Sequence, residues 1–120
     1  MNTGPGPLAR VELPCHDPPR QRDFYARILG LPAIGLWGFA LGPVELVLRG
    51  RGDALFPASG PSGGALLALA VPEDELDRWH RRMMTARVAV LEAPGPGGAP
   101  PRTLRVADPE GNVVELFAAP

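Results

Sequence analysis

One order of elements occurs twice along these 120 residues, and it limits the possible folds more than composition does. Residues 8–15 (LARVELPC) set Val11, Leu13 and Cys15 against Arg10, Glu12 and Pro14, the period-two pattern of a half-buried strand. Asp17 then stands as an N-cap before Pro18 and Pro19, which suit a first helical turn. Phe24, Tyr25, Ile28 and Leu29 follow at helical spacing, and Gly30 is placed to end the helix. Residues 36–41 and 44–49 read as two strands joined at Gly42-Pro43.

After a stretch of Gly, Pro, Ser and Ala over residues 50–64, the cycle begins again. Residues 66–71 (LLALAV) read as a buried strand ended by Pro72. Glu73, Asp74 and Glu75 load acid onto a first helical turn, and Leu76, Trp79 and Met83 form the apolar stripe. Strands are expected at 87–91, 103–106 and 113–117, with a mobile loop over 93–101 and a turn at Asp108-Pro109-Glu110-Gly111-Asn112. Position 10 matches 66 and Phe24 matches His80 at one offset of 56 (66−10 and 80−24). The order predicts an α+β fold of paired modules: module one over about 8–50, a linker over about 51–64 and module two over about 65–118.

Composition removes several function classes. A net charge of −1, with no basic tail, argues against nucleic-acid binding. The longest apolar runs are too short to span a bilayer, and MNTGPGPLAR lacks the pattern of a secretory leader. A single cysteine, Cys15, excludes an internal disulfide and fits a reducing, cytoplasmic setting. Cys15 and His16, adjacent in an extended segment, point to opposite faces and are poorly placed to share a proton. Gly95-Pro96-Gly97-Gly98 carries too much proline, and no following helix, for a phosphate loop.

A leading strand followed by Asp17, Phe24-Tyr25 and Leu29-Gly30-Leu31, with Asp108-Pro109-Glu110-Gly111-Asn112 running into Glu115, resembles the vicinal oxygen chelate superfamily of glyoxalases, bleomycin-resistance proteins and dioxygenases. The resemblance extends over nearly the whole chain after residue 8. It implies paired βαβββ modules whose sheets curl into a cup around a ligand, with helices outside. It also implies, for the metal enzymes, four ligands near positions 10, 45, 66 and 115. This chain supplies Arg10, Glu45, Leu66 and Glu115 there. Leucine has no lone pair to give and arginine stays protonated, so no metal and no other cofactor is expected.

The candidate ligand-binding residues are therefore Arg10, Glu12, Trp37, Phe39, Glu45, Leu66, Glu115 and Phe117. Arg10 is expected to stand in for a metal against Glu115, with Glu45 in the same reading, since inward carboxylates need a counter-charge. Trp37, Phe39 and Phe117 are expected to form an aromatic wall. The resemblance implies a metal-independent, bleomycin-resistance-like homodimer that binds a bulky small molecule, with antibiotic sequestration as its role. The rival class is an enzyme: a metal-dependent lyase or dioxygenase, or a metal-free cyclase or isomerase with Glu115 as base.

Overall fold

The computed structural model describes residues 3–95 and 102–119; most of the loop expected over 93–101 lies outside them. The chain divides between Ala58 and Ser59 into two compact units, inside the Gly/Pro/Ser/Ala-rich stretch. Unit one runs β1 (Arg10–Cys15), α1 (Pro18–Asp23), β2 (Ala33–Ile34), β3 (Gly38–Leu41) and β4 (Val44–Gly50). Unit two runs β5 (Leu66–Pro72), α2 (Leu76–Thr85), β6 (Val90–Glu92), β7 (Thr103–Ala107) and β8 (Val113–Ala119). Each is a βαβββ module with a four-stranded mixed sheet, ordered β1-β4-β3-β2 and β5-β8-β7-β6. The first strand of each module lies parallel to the last, and the remaining pairs are antiparallel. The fold is α+β, as the repeat predicts. No helix among the described residues is long and apolar enough to cross a membrane.

The helices begin as their sequences dictate. The Asp17 carboxylate accepts the Arg20 N–H at 3.2 Å, and Pro18 opens α1, where a missing N–H costs nothing. The helix then widens into a π-helical turn over Phe24–Ile28, in which the Leu29 N–H reaches the Phe24 carbonyl at 3.0 Å. That extra residue per turn helps bring Phe24, Tyr25, Ile28 and Leu29 all inward; each is buried. Gly30 takes φ +71 and ends the helix. In unit two a 3₁₀ turn over Glu73–Glu75 precedes α2, whose Leu76 and Met83 are fully buried, while Trp79 is only half-buried beneath the Arg82 guanidinium.

Burial alternates along the strands and assigns their faces. In unit one, Leu13, Cys15, Phe39, Leu46 and Leu48 pack on the helix side; in unit two, Leu104, Val106, Val114 and Leu116 do so. Phe24 meets Tyr25 edge-on at 5.0 Å, and Tyr25 meets Phe39 at 6.2 Å, which carries the helix–sheet contact.

Three boundaries differ from the sequence reading. The strand expected over 36–41 begins only at Gly38, because residues 35–37 form a turn after the short β2, which the alternation did not reveal. The strand expected over 87–91 begins at Val90, because Arg87 adopts a left-handed φ of +59 to close α2. In unit two Arg87 thus performs the turn that Gly30 performs in unit one. The stretch after β4 is not merely extended linker: Asp53 accepts the Phe56 N–H at 2.8 Å, and Gly52 N–H binds the Phe56 carbonyl at 2.7 Å, closing a tight loop.

Candidate functional site

Within each module the second face of the sheet is left without a helix, and the polar candidates collect there. In unit one the parallel register sets Arg10 opposite Glu45, Glu12 opposite Val47 and Pro14 opposite Arg49. Gly38 and Ala40 of β3 complete this face, opposite Val47 and Glu45. In unit two, Leu66, Ala68, Ala70, Val113, Glu115 and Phe117 share the corresponding face with Thr103 and Arg105 of β7. Small residues lie on each face, Gly38 and Ala40 on β3 in unit one and Ala68 and Ala70 on the edge strand β5 in unit two. Such a surface leaves room for a ligand body that bulky side chains would fill.

The charges on these faces pair differently from expectation. Glu115 is held by Arg105, whose Nε donates to it at 2.8 Å; the same guanidinium donates to Glu92 at 3.1 Å. Both neighbours raise the Arg105 pKa, the Glu115 hydrogen bond most strongly. Arg10 instead donates to Glu12 at 3.1 Å. Within unit two Glu115 has its own counter-charge, because the cross-strand register puts Arg105 directly opposite it. A signal for this was present, since Arg105 is a lone charge between Leu104 and Val106 in a strand hairpin-paired with the one carrying Glu115.

Phe39 is corrected. It lies in β3 as expected but is 1% exposed on the helix side, against Tyr25, because it pairs with Leu46 rather than with an outward residue. Trp37 sits half-buried in the turn before β3, its carbonyl accepting the Leu48 N–H at 2.8 Å. Phe117 lies on the helix-free face beside Thr103 and Ala70, and Leu66 begins β5 more than half exposed.

Register also settles which positions of the two modules correspond. Arg10 pairs with Glu45, and Leu66 pairs with Val113. The counterpart of Glu45 is thus Val113, and the counterpart of Glu115 is Val47. In unit one, Arg10 and Val47 offer no metal donor; in unit two, Leu66 offers none and the Glu115 carboxylate is engaged by Arg105. Among the described residues no three His, Cys, Asp or Glu side chains come together as metal ligands. These residues do not fit a divalent ion, which takes three or four protein donors.

A second charged group surrounds Arg49, at the edge of the unit-one face. Its guanidinium donates to Glu12 at 2.9 Å and to Asp53 at 2.6 Å, and it lies 5.2 Å from the Phe56 ring centre. The Arg49 hydrogen bond holds Glu12 below its ordinary 4.5; the same guanidinium, followed by the Phe56 N–H, holds Asp53 below 3.8. A depressed carboxylate stabilises the fold above its unfolded-state pKa and loses that contribution as pH falls through the lower folded value. The melting temperature is therefore expected to be level above about pH 5 and to fall below it. Arg49→Met should flatten part of that acid slope in melts from pH 6 to 3, the Asp23–Arg27 pair keeping the rest. An unchanged slope would remove the network from the acid response.

The comparisons agree with this fold. A model of the Glyoxalase/Bleomycin resistance protein/Dioxygenase superfamily matches residues 8–116. The integron cassette protein VCH_CASS1 from the mobile metagenome of V. cholerae superposes with a TM-score of 0.78 at 21% identity, covering 100% of both chains. Lactoylglutathione lyase from Agrobacterium tumefaciens gives 0.70 at 23% identity, over 97% of this chain and 96% of that one. TioX from Micromonospora sp. ML1 gives 0.68 at 23%, over 94% and 98%. No curated protein matches the chain. With two βαβββ modules in the required strand order and a family match over nearly its full length, the chain belongs to the glyoxalase/bleomycin resistance/dioxygenase superfamily.

Proposed function

We propose that this protein is a metal-independent binder of a bulky small organic molecule, which it holds against a helix-free sheet face and sequesters, an antibiotic-resistance role in the cytoplasm. The observation that carries this reading is the Glu92–Arg105–Glu115 ladder. Where a metal enzyme of this superfamily would present a carboxylate to an ion, this chain closes that carboxylate onto a guanidinium. The surrounding Leu66, Ala68, Ala70 and Phe117 supply apolar contact, and the ladder supplies fixed hydrogen-bonding groups. Trp37 is a further candidate wall. β1 and β5 are edge strands of their sheets, each with a row of backbone groups unpaired within its own sheet, which supports a homodimer.

The test combines composition with binding. Elemental analysis of protein from unsupplemented culture should find well under one Ni, Fe, Mn or Zn per chain, and ligand-induced thermal shifts from a panel of aromatic antibiotics should survive EDTA. Arg105→Met is expected to weaken the strongest binder about tenfold or more, since a hydrogen bond to a charged group is lost. One stoichiometric transition metal, or catalytic turnover of the bound compound, would move the reading to the enzyme class.

A further inference from the structure

A hollow of about 610 Å³ lies at the start of β1, its lining including Leu8, Arg10, Glu12, Arg49, Leu55 and Phe56. All of these belong to unit one, so the hollow is complete within it. Its volume is in the range of small-molecule sites. Leu8 and Leu55 are 65% and 71% exposed, apolar surface that a folded chain ordinarily covers when it is contiguous. The closed loop at 52–56 brings Leu55 and Phe56 back to the sheet, and Arg49 fixes the Phe56 ring from one side.

The two arginines of this hollow are not equivalent. Arg49 spends both of its Nη groups on Glu12 and Asp53. Arg10 donates to Glu12 through Nε only, and its side chain is 57% exposed. Its two Nη groups thus present a planar pair of donors, the arrangement that accepts both oxygens of a carboxylate. Glu12 and Asp53 balance Arg10 and Arg49, so the local charge is near zero. A monoanion gains the Arg10 fork without strong repulsion; a dianion such as a phosphate monoester is opposed by both carboxylates.

From this geometry we infer that the hollow recognises an amphipathic monocarboxylate, with its carboxylate on the Arg10 Nη groups and its alkyl or aryl body against Leu8, Leu55 and Phe56. The inference rests on the proposal that a helix-free face binds a small organic molecule, and it names the chemical class that the unit-one face would take.

Isothermal titration with 4-phenylbutanoate and its neutral counterpart 4-phenylbutanol tests it. The wild-type protein should bind the carboxylate about tenfold or more tightly than the alcohol, a preference weakened by salt. Arg10→Gln, an exposed change that should leave melting nearly unaltered, should erase the preference. Phe56→Ala should weaken both probes. Equal binding of the two probes, no binding of either at millimolar concentration, or a preference that survives Arg10→Gln would overturn the inference. If the antibiotic panel still yields a binder sensitive to Arg105→Met, the broader proposal stands while this one fails.

Discussion

Asp108→Ala is expected to lower the folding free energy by about 2–4 kcal/mol, more than any change among the surface charges. Asp108 is 4% exposed and its carboxylate accepts three hydrogen bonds, from the N–H groups of Glu110 and Asn112 and from the Asn112 side-chain amide, each at 2.9 Å. Alanine would leave those donors buried without an acceptor. The loss would also reach β5, because Asn112, oriented by Asp108, accepts the Ala65 N–H at 3.1 Å through its side chain. The Val113 N–H returns a bond to the Ala65 carbonyl at 2.9 Å, so one turn sets the register of the parallel β5–β8 pair. Asp108→Asn should lie between wild type and alanine, since its amide would turn one acceptor into a donor facing the Asn112 amide. Urea melts of the three proteins give the comparison. A loss below about 0.5 kcal/mol for alanine would show that water replaces the carboxylate.

Phe39→Ala should be comparably destabilising, by about 3–5 kcal/mol, with little effect on ligand affinity measured at a temperature where the variant remains folded. The ring, on β3, is fully buried against Tyr25 of the π-helical turn, and truncation leaves a cavity that the neighbouring Leu46 can only partly fill. Trp37→Ala supplies the contrast. Trp37 is half-buried in a turn, so its loss should reduce affinity more than stability if it contacts the ligand. Equal losses of folding and binding at Trp37 would assign it to the core as well.

These two expectations bear on what a motif conveys. The stretch from Asp108 to Asn112 is the part of the sequence most diagnostic of the family, and its structural task is to tie a turn to the first strand of its own module. Gly63 belongs to the same device: at φ +76, a Cβ there would meet the Gly111 carbonyl oxygen at 2.8 Å. The motif therefore identifies the fold while saying little about chemistry. The proposed binding residues, Arg105 and Glu115 among them, lie on strands, where side chains can change without disturbing a backbone turn.

By itself, the sequence determined the repeated module, the α+β class, the N-cap at Asp17 and the terminator at Gly30. Those follow from periodicity and local hydrogen bonding, which act between residues a few positions apart. It also showed that no histidine stands at positions 10, 45, 66 or 115. What faces what was decided only by tertiary structure. A strand's period of two tells which residues share a face but not which face receives the helix, so Phe39 read equally well as ligand wall or core. Cross-strand register, set by turns and by packing of distant segments, put Arg105 on Glu115 and made Val47, not Glu45, the counterpart of Glu115. A charge acquires its partner only when the chain has brought two separate strands together, and that pairing is a property of the fold rather than of either strand.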